Sequence, residues 1–105
     1  MRLKINGNIV YENVTEQQLI QAFDKFTQEN CELILCDSSS LNHYCKAFGR
    51  GDSINVEYGI SHAIYEAGLN PANTVKNAFL GFLQSNGQFP NVFDWKLNRP
   101  KSKIH

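Results

Sequence analysis

Leu41-Asn42-His43-Tyr44-Cys45-Lys46-Ala47-Phe48 and Ile54-Asn55-Val56-Glu57-Tyr58-Gly59-Ile60 flank Gly49-Arg50-Gly51-Asp52-Ser53. Two extended segments around a run of turn formers predict a β-hairpin. In the second arm Ile54, Val56, Tyr58 and Ile60 alternate with Asn55, Glu57 and Gly59. A period of two turns one set toward a core and the other toward solvent. The fold is therefore expected to rest on an antiparallel sheet with one covered face. The alternation runs on weakly through Ala63 and Tyr65, with Gly59 a candidate bulge.

Upstream, Glu32-Leu33-Ile34-Leu35-Cys36 is a short apolar run between Asn30 and Asp37-Ser38-Ser39-Ser40. Its length suits a central strand buried on both faces better than a helix. Thr15-Glu16-Gln17-Gln18 reads as a capping box, with Val14 and Leu19 placed for a hydrophobic staple. Leu19, Ile20, Phe23 and Phe26 then recur at helical spacing, predicting a helix over Glu16–Glu29. At the start, Asn6-Gly7 between Arg2–Ile5 and Ile9–Val14 is the dipeptide best suited to the positive φ angles of a type I′ turn, so the chain opens on a hairpin.

Downstream, Asn70-Pro71 supplies an N-cap and a proline at the first helical position. Val75, Ala78, Phe79, Phe82 and Leu83 form an apolar stripe, and Asn86-Gly87 a stop, so a second helix is expected over Pro71–Ser85. After Pro90, Phe93, Trp95 and Leu97 alternate with polar neighbours as a final strand. The expected architecture is α+β: an antiparallel sheet of five to six strands in the order ββαβββαβ, with two helices packed on one face. Phe23, Phe79, Phe82, Phe93 and Trp95 are its expected core, with Gly87 and Pro90 shaping the last turn. One domain is expected over residues 1–98, with a basic, flexible tail over 99–105.

Composition narrows function. Ten Lys and Arg balance ten Asp and Glu, but Lys96, Arg99, Lys101 and Lys103 lie in the last ten residues. Positions 1 to 95 hold six basic against ten acidic residues, a net of −4. An acidic body argues against nucleic-acid binding, whose footprint is a basic face, and favours a basic protein partner. Met1–Gly7 turns polar within a few positions, unlike a secretion signal, and no apolar run approaches the roughly 20 residues that span a bilayer. The expected compartment is the cytoplasm, with no membrane association. Three cysteines, Cys31, Cys36 and Cys45, are then expected to be reduced thiols.

Candidate chemistry is sparse. Cys36, His43 and Cys45 supply thiolate and imidazole, but their spacing matches no standard zinc pattern, so neither metal nor cofactor is expected. Cys45 with His43 or His62 could form a nucleophile and base, and the two histidines an acid/base pair. Nothing local activates Cys45, and His43 shares a strand face with Leu41, Cys45 and Ala47, where structural histidines are commoner. A small hydrolase or ribonuclease is thus an alternative to a non-enzymatic binder. Arg50-Gly51-Asp52 spells an adhesion tripeptide but reads as turn chemistry, and Gly49-x-Gly51 lies between strands, where no phosphate cradle forms. Tyr44 and Glu57 on the exposed strand faces, with Asp37, Asp52 and Glu66 nearby, are the candidate partner-binding residues.

Phe82-Leu83-x-x-x-Gly87-x-x-Pro90-x-x-x-x-Trp95 resembles the C-terminal part of small immunity proteins from bacterial polymorphic-toxin and contact-dependent growth-inhibition systems. There a phenylalanine-bearing helix runs through glycine and proline into a tryptophan-bearing strand. The resemblance covers about a third of the chain, Asn70–Leu97, and the Val56-Glu57-Tyr58 strand is also similar. It implies a protein that binds and neutralises the C-terminal domain of a cognate toxin, often a nuclease, and carries over no interface residue. The chain alone would be a monomer or a homodimer, and a homodimeric adaptor presenting a sheet edge is the third reading.

Overall fold

A computed structural model describes residues 1–27, 29–37, 40–60, 63–84 and 96–98. Seven strands form one sheet: β1 (Arg2–Ile5), β2 (Asn8–Tyr11), β3 (Cys31–Asp37), β4 (Ser40–Arg50), β5 (Ser53–Ile60), β6 (Ala63–Asn70) and β7 (Lys96–Asn98). Their spatial order is β2-β1-β3-β4-β5-β6-β7, every adjacent pair antiparallel. The α+β class and the antiparallel sheet are as expected. The strand count is higher because the weak alternation after Ile60 belongs to a separate strand, β6, which folds back on β5.

The opening hairpin turns at Asn6 (φ 51°) and Gly7 (φ 87°), the left-handed pair that a type I′ turn needs. Asn6 also fixes the hairpin to β3: its N–H donates to the Glu32 carbonyl and its Oδ1 accepts from the Glu32 N–H, both at 2.9 Å. Helix α1 spans Glu16–Phe23 and starts from the full capping box, with Gln18 N–H donating to Thr15 Oγ1 and Thr15 N–H to Gln18 Oε1. It ends earlier than the periodicity predicts, passing into a 3-10 turn over Asp24–Thr27. The Phe26 carbonyl accepts from Gly51 N–H (2.7 Å) in the β4–β5 turn, so the last turn of this segment is docked on the hairpin. Ile20, expected on the apolar stripe, is 37% exposed, while Leu19, Phe23 and Phe26 are buried.

Helix α2 spans Ala72–Gln84. Asn70 does not act through its side chain as the expected cap; it ends β6, and its amide donates to the Ala67 and Gly68 carbonyls. Those bonds steady an irregularity where Val56 pairs with Gly68 and Glu57 with Glu66, leaving Ala67 as the extra residue. The bulge is therefore there and not at Gly59, which pairs regularly with Tyr44 and Ile64.

Both helices cover one face of the sheet. Leu3, Leu33, Leu35, Cys45, Ala47, Ile54 and Val56 meet Leu19, Phe23, Phe26, Val75, Phe79 and Phe82 in a single core. The Phe23 and Phe79 rings meet edge to face at 5.2 Å, joining the helices, and Gln84 Nε2 donates to Glu16 Oε2 (3.1 Å) at their ends. The expected core residues Phe23, Phe79 and Phe82 are buried. Gly87, Pro90, Phe93 and Trp95, with the expected helix stop at Asn86-Gly87, His62 and the 99–105 tail, lie outside the described residues.

Candidate functional site: the open face of the sheet

Because side chains alternate along each strand, the core face defines its opposite. The register lines up Lys4, Ile34, Lys46, Glu57 and Glu66 in one row across β1, β3, β4, β5 and β6. A second row holds Arg2, Cys36, Tyr44, Gly59 and Ile64, and a third Glu32, Phe48, Asn55 and Leu69. Among the described residues no helix lies on this face. Phe48 is 39% and Leu69 63% exposed on it, unusual for large apolar side chains grouped with charge. Strand β3 is thus not buried along the whole of both faces as its composition suggested: Leu33 and Leu35 are buried in the core, while on the open side Glu32 and Ile34 are half-open and Cys36 alone is covered.

Four polar groups of this face are tied to one another in two pairs. Tyr44 donates its hydroxyl to Glu57 Oε2 at 2.5 Å, a short charge-assisted bond. Its ring lies over Gly59, where a Cβ would overlap it. Burial, then the hydrogen bond to Glu57 and its charge, hold the Tyr44 phenol well above its ordinary range, so it stays a donor at any physiological pH. Lys46 is held between Glu32 (3.4 Å) and the Phe48 ring (5.2 Å to its centroid). The result is a set of side chains with little rotamer freedom left to lose on binding. At the centre, Lys4, Ile34, Cys36, Tyr44, Lys46 and Glu57 line a shallow hollow of about 230 Å³.

Of the residues that the sequence nominates for partner binding, the structure brings Tyr44, Glu57 and Glu66 together on this face. Asp37 and Asp52 do not join them. Asp37 lies on the other side, beside His43, and Asp52 sits in the β4–β5 turn at the far end of β4. Lys4, Ile34, Phe48 and Leu69 belong to the face and escape sequence reading, because only the pairing of strands distant in the chain sets them beside Tyr44. Phe48 carried a usable signal: it continues the Tyr44, Lys46 alternation.

The candidate catalytic residues are distributed differently. Cys36 lines the open face and Cys45 the core, so these thiols diverge and cannot share a metal with His43. Cys45 is fully buried, and burial pushes its thiol well above its ordinary range. His43 stands at the edge of the core. Its Nδ1 lies 3.8 Å from Asp37 Oδ2, its Nε2 is 3.4 Å from the Tyr58 hydroxyl, and its ring meets Phe82 edge-on at 5.4 Å. No family model, curated protein or solved structure matches the chain.

Proposed function

We propose that this chain is a binding protein whose working surface is the open face of the sheet, and that it serves as an immunity protein that neutralises a cognate bacterial toxin domain. The observation that carries the reading is the combination on one rigid face of exposed Phe48 and Leu69 with the preset Tyr44–Glu57 and Lys46–Glu32 pairs. Aromatic anchors with organised polar neighbours are what protein interfaces use. The net charge of −4 over positions 1 to 95 suits a nuclease domain, whose substrate groove is basic. The helix-glycine-proline-tryptophan run, which resembles that of small immunity proteins, is what points the reading to that class of binder. The test is a neighbouring gene for a large exported protein with a variable C-terminal domain and, given one, co-expression with that domain: cells survive, and Phe48→Ala with Leu69→Ala abolishes survival while the protein stays soluble. Cell death despite soluble wild-type protein would end this reading.

One observation favours a second reading, the small hydrolase. Asp37, His43 and Tyr58 form a row of carboxylate, imidazole and phenol, the order in which an acid orients a base. If the chain cleaves RNA or an ester, His43→Ala removes the activity with an unchanged amide spectrum; retained activity removes His43 from the chemistry.

A further inference from the structure

We propose that the free chain pairs with a second copy of itself, open face to open face, about a two-fold axis that runs along β4. This goes beyond the binding reading and does not depend on what the foreign partner is. β4 is the middle strand of seven, with β3, β1 and β2 on one side and β5, β6 and β7 on the other. Rotation about an axis parallel to the strands keeps each cross-strand row level and lays one flank of the sheet on the opposite flank of the second copy. The strands of the two sheets stay aligned, as in sandwich folds, where facing sheets stand about 10 Å apart.

The charges select this occupant and this axis. The first row, extended to both edges, reads Ile9, Lys4, Ile34, Lys46, Glu57, Glu66, Lys96. Lys4 stands two strands to one side of β4 and Glu66 two strands to the other, so the axis sets Lys4 of each copy opposite Glu66 of the other, twice per dimer. Among the described residues neither side chain has an ion pair or hydrogen bond of its own. Lys46, on the axis, is answered by Glu32 of its own chain at 3.4 Å. Glu57 keeps its negative charge when it accepts from the Tyr44 phenol, and lies one strand from Lys46 of the second copy. An axis across the strands would instead set Lys4 on Lys4 and Glu66 on Glu66. Lys4, Lys46 and Lys96 balance Glu32, Glu57 and Glu66, and Arg2 is matched by Glu12, so the face escapes the acidic balance of the body and does not repel its own copy.

The apolar residues answer one another by the same operation. Phe48, 39% exposed on β4, meets Phe48 of the second copy near the axis. Leu69, 63% exposed on β6, comes beside Ile9, 48% exposed on β2 of the second copy. Seven strands about 4.8 Å apart, each contributing about 20 Å, bury roughly 1,100 Å² over both copies, at the lower edge of specific interfaces. The dimer is therefore weak, and it covers Phe48 and Leu69 only until a tighter partner displaces it.

The test is sedimentation velocity of the full chain alone, over a series from about 10 μM to about 1 mM, where an interface of this size dissociates. A shift from monomer to dimer across the series is expected. Lys4→Glu or Glu66→Lys alone sets like charges opposite each other at both contacts and should weaken the dimer at least about tenfold. An equimolar mixture of the two variants should recover wild-type association, because every contact between unlike variants again pairs opposite charges. Misfolded variants, or a dimer formed through another surface, would not give that recovery. Phe48→Ala, which alters no charge, should also weaken the dimer about tenfold. A wild-type monomer throughout the series overturns the proposal, as does wild-type dimerisation by Phe48→Ala or by both charge variants, or a mixture that associates no better than its parts. These outcomes leave the immunity reading as it stands, whereas death in co-expression with the wild-type chain ends that reading and leaves the dimer intact.

Discussion

At the scale of single residues, Gly59 and Tyr44 form one unit. They are paired across β4 and β5, and the Tyr44 ring occupies the space above residue 59 that a Cβ would need. Gly59→Ala must displace the ring, break its bond to Glu57, or bend the strand, and overpacking of this kind costs typically 1–3 kcal/mol. The same substitution in a Tyr44→Ala background should cost much less, because the clash has no partner. A double-mutant cycle by denaturant unfolding measures this coupling, and additive costs would show that the ring does not depend on the glycine. The Tyr44 phenol gives a second prediction. It keeps its proton in the native state to higher pH than in the unfolded chain, where a tyrosine titrates near 10. This contribution to stability is present below about pH 10 and is lost as pH rises above it. Tyr58, also raised, mainly by burial, adds in the same direction. Tyr44→Phe should therefore flatten the alkaline decline in unfolding free energy relative to wild type; parallel declines would mean that the phenol is not held.

Among the elements, α1 is short, eight residues, and so depends on its ends. Thr15→Ala removes the acceptor for Gln18 N–H and should cost about 1 kcal/mol, read as a lowered denaturation midpoint at unchanged slope. Thr15→Ser should restore most of it. That cap was fully legible in the sequence, as were the Asn6-Gly7 turn and the α2 stripe, because each rests on residues a few positions apart. What was not legible depended on distant contacts. Helix α1 gives way to a 3-10 turn where the Phe26 carbonyl meets Gly51, a partner 25 positions away. Gly59 looked like a bulge because glycine weakens a strand, yet here it makes room for a ring on β4. The open face was half legible: alternation placed Tyr44, Lys46 and Glu57 on it, but their neighbours Lys4, Ile34 and Leu69 follow from registers that no local pattern encodes. Asp37 and Asp52 lie off this face for the same reason, since nearness in charge and sequence says nothing about which face or which end of a strand a residue takes.

At the scale of the whole molecule the proposed interface would divide the work between the two faces of the sheet, and substitutions should separate accordingly. Phe79 is fully buried between α1, α2 and the sheet, and Phe79→Ala removes a ring from a packed core, a change that costs roughly 3–5 kcal/mol. A domain of this size has a total stability of only about 5–15 kcal/mol, so such a variant should populate unfolded forms and lose partner binding indirectly. Phe48 and Leu69 face the other way and are 39% and 63% exposed. Truncating Leu69 to Ala should change stability by no more than about 0.5 kcal/mol, the range of ordinary surface substitutions, and Phe48→Ala by about 1 kcal/mol, because most of the Phe48 ring is covered and it carries Lys46. On the proposed reading both residues anchor a partner, and truncating a hot-spot residue costs about 2 kcal/mol or more in binding even where stability is untouched. Measuring thermal midpoint and partner affinity on the same three variants tests the division. Phe79→Ala should recover affinity at low temperature where it refolds, while Phe48→Ala and Leu69→Ala should stay weak at every temperature. If the surface variants bound as tightly as wild type, the open face would be a solvated surface and the interface would have to lie elsewhere on the molecule.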